Sequence, residues 1–488
     1  MNASMPYRPV GRPARAGFAG PDGRLKALAL LGLLAAGLPA FARDPLPVPA
    51  HAVIGVQERH LQADDWIRRL AQPDRLLLDD AGVVAQNDRM RKDDRHVHVL
   101  QDLPAALTRA QVRGWLDPLS APPTRTLYDE RGVEITKPQL AAIAANAAVD
   151  AVAANTAARY GLVVHRADLR TFPTRLRVFS SRGDTDIDRF QESALFPGTP
   201  VVIAHTSADG DWYFVVSPRY AAWIEKRFVG EGPRETVFGY GTGASALVVT
   251  GATARTVYNP EEPGLSALQL DMGVRVPVLA DWPANKPVNG QHPYTSHVIQ
   301  LPVRRDDGTL ALLPALLPRT ADVAPDYLPY TSANLLRQSF KFLGERYGWG
   351  HSYDSRDCSG FVSEVYQSMG IVLPRNTSAQ AVSPALERIG FDAGDSHEKR
   401  LAVLRTLQVG DLVYIPGHVM MVIGHDNGTT YTIHDTTGIT YRGADGNVVR
   451  TTLNSVAVTP LEPLLFNSEQ PTVDRITAIQ RVRPQGAP

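Results

Sequence analysis

The chain has almost no cysteine. Cys358 is the only one in 488 residues. That excludes an internal disulfide and any covalently stapled scaffold. Neither sign of charge prevails, since Lys and Arg total 50 and Asp and Glu also total 50. A basic footprint for nucleic acid is absent, and no charge run suggests a membrane-surface patch. Beyond the first 42 residues no stretch approaches the apolar length of a membrane-spanning helix. What is present is ordinary for a globular protein with a real core: 44% apolar and 20% charged residues. The length suggests about three domains.

The first 42 residues differ from the rest. They hold five basic residues (Arg8, Arg12, Arg15, Arg24, Lys26) and one acid, Asp22. Arg24 to Ala42 reads RLKALALLGLLAAGLPAFA, a basic flank, an apolar run and small residues at a cleavage position. This is the pattern of a secretory signal peptide over residues 1–42, with an uncleaved anchor as the alternative. No cysteine follows the run, so a lipid anchor on cysteine is not expected. Export to the periplasm, the cell wall or the medium is expected.

Residues 43–50 are a Pro-rich linker, and residues 43–165 as a whole read as a mainly helical N-terminal region. Its strongest helix signal runs from Lys137 to Arg159, with Pro138 near the start and Gly161 beyond the end. His96 and His98 alternate with valines, which favours a solvent-facing strand over a metal site. From 166 to 318 short β-rich runs alternate with turn residues. Gly198 to Val216 spells a hairpin around Ala208-Asp209-Gly210-Asp211. Two small β-barrels, 166–235 and 236–318, fit this pattern. Residues 319–468 mix helices and strands: a helix capped by Thr331 or Ser332, a second from Asp357 to Gly370, then strands near 411–415, 419–423 and 430–433. Helix first and sheet second is the layout of an α+β, papain-like domain. Residues 469–488 read as a Pro- and Arg-containing tail.

A lone cysteine is by default a small buried hydrophobe. Here it stands in Arg356-Asp357-Cys358-Ser359-Gly360, where an amphipathic helix begins. A helix start lowers a thiol pKa and offers free N–H groups to a thiolate or an oxyanion. A thiol nucleophile needs a base, and the base needs an orienting partner. His418 opens a strand after Pro416-Gly417, and His434 closes the next one. Antiparallel pairing of those strands makes the two histidines neighbours. Asp357 reads equally as the helix N-cap or as a substrate contact. His351, His397 and His425 read as loop or core histidines.

Taken in order, Tyr347-Gly-Trp349-Gly, Asp357-Cys358-Ser359-Gly360-Phe361, Leu373-Pro374-Arg375, Gly410-Asp411-Leu412, Gly417-His418-Val419 and His434 resemble the NlpC/P60 cysteine peptidases. The barrels are similar to the bacterial SH3 modules that precede such domains, and the first helical region to a clip domain. The resemblance implies a thiol protease that hydrolyses peptidoglycan stem peptides between γ-D-glutamate and a diamino acid, diaminopimelate or lysine. It implies Cys358 as nucleophile, His418 as base and His434 as orienting residue. It also implies a closed pocket for the free amine of an N-terminal L-Ala, built from Asp357, Ser359, Tyr347 and Trp349, with Glu192 and Tyr220 from the first SH3 module. No cofactor, metal or nucleic acid is implied, and a monomer is expected. The chain departs from the family at His351, where a second glycine is usual, and at Met420, where a small residue is frequent. Three other readings stay open: an amidase or acyltransferase on the same fold, a non-catalytic wall-binding scaffold, and zinc binding by Cys358 with the histidines.

Overall fold

A computed structural model describes residues 53–243 and 245–483. The leader expected over residues 1–42 and the linker at 43–50 lie outside them. The N-terminal region contains four helices, α1 (Ala63–Arg68), α2 (Asp80–Asp93), α3 (Arg109–Leu119) and α4 (Lys137–Asn146). Asp79, Thr108 and Thr136 cap the last three through side-chain oxygens that accept from the backbone N–H of Gly82, Gln111 and Gln139. This region packs on two separate cores. Trp66 lies against Tyr431, with ring centroids 5.3 Å apart, and Asn87 bonds Gly370 O and Val372 N at 2.7 and 2.9 Å. Leu107, Val112 and Leu116 instead share a core with Phe214 and Trp223 of the first barrel.

Two expectations fail here. The helix from Lys137 stops at Asn146, not Arg159. Ala148 turns left-handed, with φ of 46°, and Asn155–Ala157 pairs with Ala106–Thr108 as a short antiparallel ribbon. Ala147 and Val152 are drawn into the barrel core, so tertiary burial overrides alanine's helix propensity. His96 lies in a turn and His98 in the irregular segment that follows, not in a strand. His96 Nδ1 is 2.9 Å from Asp94 Oδ1, and the His98 ring lies 6.4 Å from Trp115.

The first barrel has seven strands: β1 (Arg159–Val163), β2 (Ala167–Arg170), β3 (Gln191–Leu195), β4 (Pro200–Thr206), β5 (Trp212–Val216), β6 (Ala221–Glu225) and β7 (Val229–Glu231). They pair antiparallel in the order β3-β2-β6-β5-β4-β1-β7, and β4 and β5 form the expected hairpin. The first strand starts at Arg159, ahead of the expected boundary at 166. After a short helix, α5 (Arg234–Gly239), the second β-rich unit is less continuous. It joins a three-stranded sheet of β8 (Ala246–Val249), β11 (Arg275–Pro277) and β14 (Val323–Ala324) to two ribbons, β9 (Thr253–Arg255) with β10 (Gln269–Asp271) and β12 (Ser296–Arg304) with β13 (Leu310–Pro318). Leu247, Val249, Leu270, Val276, Ile299 and Leu317 fill its core. The strand at 323–324 carries this unit past the expected end at 318.

The last domain packs helices α6 (Ser332–Phe340), α7 (Cys358–Gln367), α8 (Thr377–Val382) and α9 (His397–Leu404) around an antiparallel sheet. Its strands are β15 (Glu387–Gly390), β16 (Leu412–Ile415), β17 (His418–Asp426), β18 (Thr429–Arg442), β19 (Val448–Pro460), β20 (Leu464–Leu465) and β21 (Ala478–Arg481). The order is β15-β21-β16-β17-β18-β19, with β20 also on β18. The expected tail is thus corrected: β21 lies inside the sheet, with Ile479 fully buried and Gln480 Nε2 bonded to Gln380 O at 3.0 Å. A four-residue strand has too little hydrophobic periodicity to be read from sequence. Among the described residues no helix is long and apolar enough to cross a membrane.

Because β21 bridges β15 and β16, removing it breaks two ladders and leaves two strand edges unpaired. Truncation after Ile476 is expected to abolish cooperative thermal unfolding, read by circular dichroism. A sharp transition near that of the full chain would contradict this placement.

Candidate active site

Helix α7 packs its apolar face, Phe361, Val362 and Val365, against Val419, Met421 and Ile433 of the sheet. This seats the N-terminus of the helix beside the start of β17. Cys358 is the first residue of α7 and is buried. Its sulfur lies 3.5 Å from Thr377 Oγ1 and also takes a hydrogen bond from the Val419 amide, next in sequence to His418. His418 Nε2 is 2.7 Å from His434 Nδ1, and His434 Nε2 is 2.9 Å from Thr459 Oγ1. The strands bearing the two histidines pair antiparallel, with Met421 opposite Ile433. If His418 Nε2 and His434 Nε2 carry the protons, a chain of donors runs from His418 through His434 to Thr459. The other nitrogen of His418 is then left unprotonated, the state a base requires.

The electrostatics differ from the expectation of an acidified thiol. Burial pushes Cys358 up to about 12, and the Asp357 charge adds to it. Burial also pushes His418 down to about 4. Desolvation outweighs the helix terminus, so the resting pair is a neutral thiol and a neutral imidazole.

Asp357 is the N-cap, its Oδ1 accepting from Gly360 N at 2.7 Å. It accepts as well from Gly350 N at 3.0 Å, Ser359 Oγ at 3.2 Å and Arg375 Nη2 at 2.8 Å. Arg375 also donates to Ser359 Oγ at 3.0 Å and to Ser193 Oγ of β3 at 2.7 Å. Burial acts against the Asp357 charge, but Arg375 and these donors hold the carboxyl down at about 2. Both Asp357 and Ser359 are thus committed to structure.

Tyr347 is buried, and Trp349 donates from Nε1 to Gln191 O at 3.0 Å. The two line a cleft of 310 Å³ together with His418, His434 and Met420. Met420 therefore shapes the cleft wall. Glu192 and Tyr220, from β3 and the turn before β6, meet across 2.5 Å through the Tyr220 hydroxyl. Asn376, next to Thr377, reaches that hydroxyl at 3.5 Å. Glu192 also accepts from Thr171 Oγ1 at 2.6 Å. Its recorded partners are hydroxyls, in contrast to Asp357.

His351 has a role that its sequence position did not suggest. It adopts φ of 66°, a region costly for a residue with a side chain. Its Nδ1 accepts from Arg375 at 2.6 Å and its Nε2 donates to Glu364 at 3.0 Å. Burial and Arg375 hold it well below the usual histidine range, hence neutral. Its neighbour Gly350, at φ of 57°, admits the first barrel closely: a Cβ there would meet Gln191 Cγ at 2.8 Å. Thr377, Thr459 and Asn376 were likewise not singled out, and Arg375 entered only as part of the Leu373-Pro374-Arg375 motif, without a role. His397 bonds Asp474 and His425 bonds Leu407 O, both away from the cleft. Among the described residues no group of three or more His, Cys, Asp or Glu side chains is placed to hold a metal.

The model of the NlpC/P60 family matches residues 344–458, which enclose Cys358, His418 and His434. The chain carries an NlpC/P60 domain. A model described as an SH3 domain of the SH3b1 type matches residues 177–225, within the first barrel. NlpC/P60 peptidases are cysteine peptidases, and the buried thiol beside a histidine pair accords with that class. A gamma-D-glutamyl-L-lysine dipeptidyl-peptidase of Bacillus cereus is 27% identical over 264 residues, covering 50% of this chain and 67% of that protein. An NlpC/P60 endopeptidase from Photobacterium damselae subsp. piscicida superimposes with a TM-score of 0.66 at 16% identity, over 85% of this chain and 95% of the other, and shares its fold. An NlpC/P60 family protein from Bacillus cereus has 20% identity and a TM-score of 0.45, over 67% of this chain and 100% of the other.

Asp435 adjoins this NlpC/P60 site and was also missed. It is fully buried, and neither carboxylate oxygen has a hydrogen-bond partner among the described residues. Burial, then the charges of Asp357 and Glu345, push it up to about 9. The folded state holds it protonated at neutral pH, whereas the unfolded chain ionises it. Its stability contribution is therefore present below the usual carboxylate range and falls as pH rises toward about 9. Asp435→Asn mimics the protonated acid at every pH. It is expected to raise Tm more at about pH 8 than at about pH 5. Equal shifts at both would count against a neutral Asp435.

Proposed function

We propose that this protein is an exported cysteine endopeptidase that cuts peptidoglycan stem peptides after γ-D-glutamate, at the bond to diaminopimelate or lysine, and prefers stems with a free N-terminal L-Ala. The observation that carries the reading is the arrangement of Cys358 at a helix start with the His418–His434–Thr459 chain beside it. The similarity to a gamma-D-glutamyl-L-lysine dipeptidyl-peptidase supports the choice of bond. Export rests on the sequence of residues 1–42 alone.

In this mechanism substrate binding brings the carbonyl carbon of γ-D-glutamate against the sulfur. The Cys358 proton passes to the free nitrogen of His418 as the C–S bond forms. Free N–H groups at the start of α7 face the developing oxyanion. The intermediate collapses, the C–N bond breaks, and the amine leaves with the proton from His418. Water then gives its proton to His418 and its oxygen to the thioester carbon. The C–S bond breaks, and the proton returns to the thiolate. His434, bonded to Thr459, keeps the His418 ring in the tautomer that both steps need.

On this reading Glu192, not Asp357, receives the substrate amine. Asp357 is neutralised by Arg375, whereas Glu192 bonds the hydroxyls of Tyr220 and Thr171. A substrate ammonium reaching Glu192 gains a charge-assisted hydrogen bond. Recognition of the amine by this residue of the first SH3 module would favour peptides already freed at L-Ala.

Mass analysis of L-Ala-γ-D-Glu-diaminopimelate and its lysine analogue tests this directly. The wild type is expected to release L-Ala-D-Glu, and Cys358→Ala is expected to release none. Glu192→Gln is expected to raise KM for the free-amine tripeptide by about tenfold or more, the scale of one lost charge-assisted bond. It should change the N-acetylated tripeptide little. Intact tripeptides after incubation with the wild type would sink the endopeptidase reading, and equal effects on both substrates would sink the role of Glu192.

The depressed His418 adds a pH prediction. His418 must be neutral to accept the proton, and burial holds it down at about 4. The acid limb of kcat/KM is therefore expected below the ordinary histidine value of about 6.5. A limb at or above that value would contradict a desolvated base.

A further inference from the structure

A second cavity lies on the far side of Arg375, where the first barrel, the second β-rich unit and the NlpC/P60 domain meet. It encloses 370 Å³ and shares no lining residue with the cleft at His418. Its walls are largely apolar, with Phe196, Tyr240, Met272 and Val372 among them. Three arginines, Arg219, Arg275 and Arg375, are among its lining residues.

Two of these are satisfied. Arg375 bonds Asp357, and Arg275 bonds the carbonyls of Gly241 and Gly243. Arg219 is different. Its Nη1 is buried and has no hydrogen-bond partner among the described residues. The acid that lines the cavity, Glu364, is already bonded to Arg356 at 2.9 Å and to His351 at 3.0 Å. Burial and then the Arg375 charge lower Arg219 to about 10, with the Glu364 charge acting the other way. The Arg375 charge repels this partly buried cation, and an anion at the cavity would offset that repulsion.

We propose that this cavity is a binding site for a small organic carboxylate with an apolar body, held by the Arg219 guanidinium. The fork of N–H donors matches a carboxylate in two-point fashion. The apolar walls take up the remainder of the ligand, and the volume falls in the range of small-molecule sites. An inorganic anion would satisfy Arg219 but leave those walls unused. The proposal does not depend on the peptidase reading, although Tyr220, which bonds Glu192, also lines this cavity. The cavity adjoins the peptidase site, because Arg219 precedes Tyr220 and Arg375 holds the N-cap of α7.

The experiment is titration calorimetry of the full chain with benzoate, isovalerate and N-acetylalanine at constant ionic strength. Benzyl alcohol and inorganic phosphate serve as controls. At least one carboxylate is expected to bind about tenfold more tightly than benzyl alcohol and phosphate, the scale of one charge-assisted pair. Arg219→Gln is expected to abolish that preference, while Arg219→Lys retains part of it. Ligand-free Arg219→Gln should melt no lower than the wild type, because the Arg219 side chain makes no hydrogen bond among the described residues and is repelled by Arg375. The proposal is overturned if no carboxylate binds, if benzyl alcohol or phosphate binds as well, if Arg219→Gln binds unchanged, or if that variant melts well below the wild type.

Discussion

The buried ion pair between Arg375 and Asp357 is the constraint around which the site is arranged. An isolated buried charge costs several kcal/mol, and a pair recovers that cost only when every donor and acceptor is used. Here they are used. Asp357 takes the Gly360 and Gly350 amides, the Ser359 hydroxyl and the Arg375 fork. Arg375 adds Ser193, Ser359 and His351. One pair thus caps the helix that carries Cys358, fixes the loop at Gly350 and ties the first barrel to the NlpC/P60 domain.

A second buried cation extends the same design. Arg356 is wholly buried and bonds Glu364 at 2.9 Å, Glu345 at 3.0 Å and Asp271 of the second β-rich unit at 2.6 Å. Arg166, in the segment between β1 and β2, joins Asp271 and donates to His351 O at 2.9 Å. The three units are therefore coupled through charges that cannot be exposed singly without loss. His351 accepts its strained backbone because its ring links the two networks, from Arg375 to Glu364. This dry setting also explains the protonation of the site. Where water is excluded, the thiol, the imidazoles and the Asp435 carboxyl all settle in their neutral forms.

Much of the NlpC/P60 domain was legible in the sequence because its signals are local. A polar cap before an amphipathic run announced the helix at Cys358. A Pro-Gly turn before a β-rich segment announced the strand at His418, and two such strands brought His434 alongside. The failures have equally physical causes. The alanine-rich stretch after Lys137 has high helix propensity, yet burial of Val152 and pairing of Asn155–Ala157 end the helix at Asn146. The strand at Ala478–Arg481 is four residues long and gains its stability from two neighbours remote in sequence.

The sequence by itself determined the fold class and singled out the thiol and the two histidines. Each follows from residue type and short-range pattern, which act over one turn of helix or one strand. Only the tertiary structure decided the charge state of Cys358 and His418, the commitment of Asp357 to Arg375, and the meeting of Glu192 with Tyr220 and Asn376. Those depend on burial and on contacts between residues up to 182 positions apart, as between Ser193 and Arg375. Desolvation and long-range pairing are properties of the packed chain, and no local pattern of residues encodes them.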